Sequence, residues 1–187
     1  MWHAFLDESR RGPTYLVAVV IALPRDLDRT RTALRAKVKP GQRRLHFKKE
    51  SDARRGEIVA LLRDLGVRAR VWLCEHPNDQ VARQACLMAA GRHMLDISAA
   101  RLVLESCAHQ DVLDRHTLAV LKKKIFHLDH EHFRPHEDPM LWASDAIAWC
   151  YGAGGEWRRR VACLLEDVQR ANIAPNSAKP GNRPSGR

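Results

Sequence analysis

The stretch Trp2-His3-Ala4-Phe5-Leu6-Asp7-Glu8 decides how the rest of the chain is read. It is an apolar run that ends in two acids. The link Arg10-Arg11-Gly12-Pro13 follows, and then Tyr15 to Leu23, which is rich in β-branched residues. Two extended segments across a Gly-Pro link predict a hairpin. Successive side chains of a strand alternate faces, so Asp7 shares a face with Phe5, and Glu8 with Leu6. One of the two acids therefore adjoins the apolar layer. A lone carboxylate there is costly and needs a metal or a cationic partner. If the strand simply ends at this point, both acids are solvated instead.

Outward from this hairpin, strands and helices alternate. Leu27, Leu34 and Val38 suggest a short amphipathic helix before Pro40-Gly41, and Arg43 to Glu50 reads as a basic connector. Ser51 caps a helix whose Ile58, Leu61, Leu62 and Leu65 share a face and which Gly66 stops. Val67, Ala69, Val71 and Leu73 alternate with Arg68, Arg70 and Trp72, the period of a half-buried strand. Asn78 to Leu95 reads as a long helix, Leu102-Val103-Leu104 as a short strand, Asp111 to Lys124 as a helix and Ile125 to Phe133 as a strand. Asp138-Pro139 is a strong helix start, for a helix running to about Tyr151. A last helix is predicted over roughly Trp157 to Gln169. The order suits an α/β fold, a mixed sheet of about five strands flanked by helices.

Two further carboxylates repeat the problem posed by Asp7. Glu105 ends the strand Leu102-Val103-Leu104. Asp145 lies between Leu141 and Trp149 at helical spacing, with Ala148 alongside, so an acid sits within an apolar stripe. Pairing with one of the many arginines is one explanation. Convergence of the acids at one sheet edge is the other, because carboxylate oxygens are the hard ligands that Mg²⁺ prefers. Two such ions about 4 Å apart can activate water and stabilise the leaving oxygen of a phosphodiester.

The 187 residues suffice for one domain with a real core. The longest apolar run, Tyr15 to Leu23, is too short to span a bilayer, and Asp7 and Glu8 stand where a signal peptide needs apolar residues. The five cysteines, Cys74, Cys86, Cys107, Cys150 and Cys163, show no zinc or redox spacing and read as reduced thiols of a cytoplasmic protein. The net charge of +10 favours polyanionic partners, nucleic acid first among them. The basic residues are mostly arginine, a bias that genome composition also produces.

These residues resemble a known group. Phe5-Leu6-Asp7-Glu8-Ser9 looks like the Asp-Glu-Ser opening of domain-of-unknown-function family 3800, which has a ribonuclease H-like fold. Leu45-His46-Phe47-Lys48-Lys49-Glu50 is similar to that family's Glu-Leu-His region, and Ala143-Ser144-Asp145-Ala146-Ile147-Ala148-Trp149 to its late Ala-Asp-Leu helix. The likeness covers roughly Met1 to Tyr151. It implies that Asp7 lies on the first strand, Glu105 on a strand beside it and Asp145 on the closing helix. Two departures stand out: Arg10 replaces the usual Gly, and Arg44 stands where an acid is expected, with Glu50 a candidate substitute.

The expectation is a ribonuclease H-like domain over residues 1–170 and a disordered basic tail over 174–187. Its function would be divalent-metal-dependent phosphodiester hydrolysis with Mg²⁺ or Mn²⁺. Asp7, Glu105 and Asp145 would hold the metal, Glu8 would be a possible fourth acid, and His46 would move protons or steady a phosphate. Arg43, Arg44, Lys48 and Lys49 would bind nucleic acid. The alternative is a nucleic-acid-binding or protein-interaction module that keeps the fold without chemistry. His127, His130, His132 and His136, with Asp129 and Glu131, read as a polar edge strand rather than a metal site. Lys122-Lys123-Lys124 complements a helix dipole. Trp142, Trp149 and Trp157 read as core or partner surface.

Overall fold

The computed structural model describes residues 1–121 and 128–173. The opening hairpin pairs β1 (His3–Arg11) with β2 (Thr14–Ala22) over the whole length of both strands. Asp7 and Glu8 therefore stand in mid-strand, not at a strand end, and the strand runs on through Arg10-Arg11 to the Gly12 turn. Then follow α1 (Pro24–Arg35), a single 3₁₀ turn (Phe47–Lys49), α2 (Asp52–Asp64), β3 (Arg68–Glu75), α3 (Asp79–Asp96) and β4 (Arg101–Glu105). The chain continues with α4 (Asp111–Ala119), β5 (Asp129–Phe133), α5 (Pro139–Ala153), α6 (Gly155–Val161) and β6 (Leu165–Arg170).

The sheet has six strands, in the order β5-β4-β1-β2-β3-β6. The expected five is corrected by β6, which occupies part of the last predicted helix and pairs in parallel with β3. The sequence there is charged enough to pass for a helix surface. The charges are used across the ladder instead: Arg68 pairs with Glu166, and Arg70 reaches both Glu166 (3.5 Å) and Asp167 (3.7 Å). Lys122-Lys123-Lys124, His127, the start of the predicted strand at Ile125 and the tail from Ala174 lie outside the described residues.

Strand alternation divides the core into two layers. Phe5, Leu16, Ala18, Val20, Ala69, Val71 and Val103 face α1, α2 and α5. Leu6, Val17, Val19, Trp72, Leu102 and Leu104 face α3. Helix α5 lies against β1 and β2, and the fully buried Ser144 donates its hydroxyl proton to the Phe5 carbonyl at 2.7 Å. That bond fixes where the next residue, Asp145, meets β1. The helix start behaves as expected: the Asp138 carboxylate accepts from the Met140 N–H at 3.0 Å ahead of Pro139. No described helix is long and apolar enough to cross a membrane.

Candidate active site

The site lies where the parallel ladder between β1 and β4 stops. The last paired residues are Leu6 and Leu104. One position further on, Asp7 and Glu105 project to the same face as Phe5 and Val103, the face covered by α5. Asp145 reaches them from α5. Its carboxylate accepts from the backbone N–H of Phe47 at 3.2 Å, the first residue of the 3₁₀ turn. The turn is seated by its own apolar residues: Leu45 and Phe47 are buried, and the Phe47 ring packs on Trp149 with centroids 5.5 Å apart. His46, between the two anchors, is half-buried, and its Nδ1 is buried without a hydrogen-bond partner.

The electrostatics report the convergence. Burial raises the pKa of Asp7 well above the usual carboxylate range, and the charges of Glu105, Glu8 and Asp145 push the same way. The backbone N–H of Glu8, 2.8 Å from Asp7 Oδ1, opposes this. Burial likewise pushes Glu105 up to about 7, assisted by Asp145 and Glu8 and opposed by Arg44. Asp145 is also raised by burial, against the Phe47 N–H and the charges of His46 and Arg44. Burial, followed by Arg44, lowers the pKa of His46.

The other candidates separate. Glu8 projects to the opposite face, where its carboxylate meets Arg83 of α3 at 2.6 Å. Glu50 does not replace the missing acid at position 44: it is buried and paired with Lys39 (2.7 Å) and Arg54 (3.0 Å). Arg44 is turned inward, with Nη1 at 3.7 Å from the Glu105 carboxylate. Arg43, Lys48 and Lys49 are exposed on the same connector.

Asp7, Glu105 and Asp145 interact but are not drawn into a tight ligand shell. Among the described residues, the three side chains whose ligand atoms all come within 4.8 Å of one another are Asp111, Asp114 and His132, on the α3 and α4 side of the sheet. This spacing suits a divalent ion, but a guanidinium is already there. Arg83 donates to both Asp114 oxygens at 2.8 and 2.7 Å and also to the Tyr15 hydroxyl. His132 Nε2 lies 3.2 Å from the same carboxylate. Burial alone would raise the Asp114 pKa, yet Arg83 and His132 outweigh it and hold the carboxyl low. Hydrogen bonds and ion pairs hold the acids of this network, and it ties β1, α3, α4 and β5 together. Sequence reasoning missed Asp111, Asp114 and Arg83. The signal available for them was an arginine on the inward face of a helix otherwise lined by Ala82, Cys86 and Ala90.

No protein-family model matches the chain, and no curated protein matches it. The resemblance to domain-of-unknown-function family 3800 therefore gains no support. Solved structures do match. A chain in the structure of the PCNA:RNase HII complex from Archaeoglobus fulgidus aligns with a TM-score of 0.50 at 21% identity, over 87% of this chain and 74% of that one. The ribonuclease H2 from Pyrococcus horikoshii OT3 aligns with a TM-score of 0.52 at 16% identity, over 88% and 75%. At such identities the likeness is one of architecture, and it shows that this chain has a ribonuclease H-like fold.

Proposed function

We propose that the protein is a divalent-metal-dependent nuclease whose site is formed by Asp7, Glu105 and Asp145. The observation that carries this reading is the surplus of negative charge at the end of the β1–β4 ladder. Burial raises the pKa of all three carboxylates, the charges of Glu105 and Asp145 add to this at Asp7, and that of Asp145 at Glu105; among the described residues only Arg44 is ion-paired with any of them. On the other face of the sheet Arg83 and His132 hold the Asp114 carboxyl low, whereas Asp7, Glu105 and Asp145 are all raised. A buried anionic site left uncancelled suits a cation brought from outside. The donor set is all oxygen, which fits Mg²⁺ or Mn²⁺ rather than a thiophilic metal. The solved structures that share the fold include a ribonuclease H2 and a complex containing RNase HII, and this favours phosphodiester chemistry.

In this reading Asp7, Glu105 and Asp145 hold the metal. When bound, the ion supplies Lewis acidity for activating water and stabilising the leaving oxygen of a phosphodiester. The chain's residues supply placement. The Phe47 N–H orients Asp145, and the Ser144 hydroxyl fixes α5 on β1. His46, whose burial favours the neutral ring, accepts or passes a proton beside Asp145. Arg43, Lys48 and Lys49 stand exposed beside the site and meet backbone phosphates.

The competing reading, a nucleic-acid-binding module without chemistry, draws on the Arg44–Glu105 pair and on the absence of a tight shell around the three acids. One variant separates the two. Asp145→Asn keeps the side-chain shape and an acceptor for the Phe47 N–H but removes a charge. It is expected to lower Mg²⁺- or Mn²⁺-dependent cleavage at least 100-fold on a panel of DNA and RNA substrates while leaving salt-sensitive binding nearly intact. A wild type that binds the panel and cuts none of it supports the binding module. A variant that cuts as fast as the wild type removes Asp145 from the site.

A further inference from the structure

Arg44 is the one side chain in the site that does not fit a plain acid cluster. It enters from the connector just before the buried anchor Leu45, and its guanidinium stands 3.7 Å from the Glu105 carboxylate. Its side chain is 32% exposed, so it stands partly in solvent instead of lying within the core. Its charge also bears on Asp145 and on His46. Among the described residues, no other ammonium or guanidinium is ion-paired with Asp7, Glu105 or Asp145. Glu8, the remaining acid nearby, is compensated on the far face by Arg83.

The charges then count simply. Three carboxylates and one guanidinium leave two negative charges, which a single divalent ion cancels. A second divalent ion on the Glu105 oxygens would stand beside a fixed positive charge and share its ligand with it, and like charges at that separation in a half-buried site repel strongly. We propose that Arg44 is a built-in cation of the site, holding the Glu105 side of the carboxylate cluster, so that the site takes one divalent metal ion instead of a pair. The guanidinium is planar and permanently charged, and it offers a fork of donors that suits a phosphate oxygen as well as a carboxylate. It therefore stands where an incoming phosphodiester meets it directly. This inference rests on the metal-dependent reading of the site and narrows it.

The test is stoichiometry, read without turnover. The full chain, freed of metal at pH 8, is titrated with Mn²⁺ by calorimetry, and bound Mn²⁺ is counted by electron paramagnetic resonance. The wild type is expected to bind one ion. Asp7→Asn should lose that ion, with affinity falling 10-fold or more. Arg44→Ala should bind two ions, and Arg44→Lys, which keeps the charge, should bind one. Thermal melts establish that each variant is folded, and the lysine variant guards against a general loss of the connector. Two ions on the wild type overturn this inference while leaving the nuclease reading standing. An unchanged single ion on folded Arg44→Ala also overturns it. Failure of the wild type to bind Mn²⁺ overturns the metal-dependent reading and this inference together.

Discussion

At Asp7, three neighbouring acids and burial act in one direction, and the direction has a thermodynamic consequence. A carboxyl whose pKa is raised on folding binds its proton more tightly in the folded chain than in the unfolded one. Its contribution to stability is therefore present at low pH and lost as pH rises through the folded value. For Glu105 the window runs from its ordinary value of 4.5 up to about 7. The metal-free protein should thus lose stability between pH 5 and pH 7.5. Glu105→Gln should be the more stable protein at pH 8, by about 1–2 kcal/mol once solvent screening of the partly exposed carboxylate is allowed for. Urea denaturation at the two pH values checks this, and a wild type more stable than Glu105→Gln at pH 8 without metal would contradict it. Saturating Mn²⁺ should reverse the order, because only the intact cluster gains from binding. On the other face of the sheet, Arg83 is ion-paired with both Glu8 and Asp114. Arg83→Met strands two carboxylates and should cost about 3–5 kcal/mol, measurable by the same denaturation.

At the scale of the element, α5 brings Asp145 to the candidate site, and its first turn sets its seat. Asp138 both caps the helix and holds Arg31 of α1 in a two-pronged ion pair at 3.0 and 2.6 Å. Asp138→Asn keeps the cap acceptor and loses the ion pair, whereas Asp138→Ala loses both. The alanine variant should be less stable than the asparagine variant by about 1 kcal/mol, the value of a cap, with the midpoint of urea unfolding as the readout. This start was legible because Asp-Pro ahead of an apolar run has one local meaning. The strand β6 was not. Leu165, Glu166, Asp167 and Val168 have no clear period, and their strand character comes from Arg68 and Arg70 across the ladder, about a hundred residues earlier in the chain. The long helix α3 was legible in extent, but the role of Arg83 was not. Its partners Glu8, Tyr15 and Asp114 come from three other elements, and no local pattern marks them. Asp7, Glu105 and Asp145 stood out individually, as acids set among apolar neighbours. Their position on one face also needed the register of β1 beside β4, which the sequence does not state.

Across the whole molecule, a net charge of +10 surrounds a site that is itself anionic. Under the proposed function the two have different tasks. The outer charge would attract a phosphate backbone from a distance, less so as salt rises, and the inner charge would take up a cation. Replacing Arg43, Lys48 and Lys49 together with alanine should flatten the plot of log affinity against log salt by up to about 3 for duplex DNA, if each releases one counterion. Fluorescence anisotropy from 50 to 300 mM salt reads this slope, and an unchanged slope would place the contact surface elsewhere. The path by which the molecule forms follows from its topology as well. The β1–β2 hairpin joins neighbours in the chain, whereas the bond from Ser144 to Phe5 links residues 139 positions apart. Asp7 is thus in place early, and Asp145 arrives only when α5 docks. The mutual repulsion of the acids is then met late, on the native side of the folding barrier. Asp145→Asn should accordingly slow unfolding of the metal-free protein and leave its rate of refolding almost unchanged, so that this part of the site's charge is recorded in how quickly the molecule comes apart.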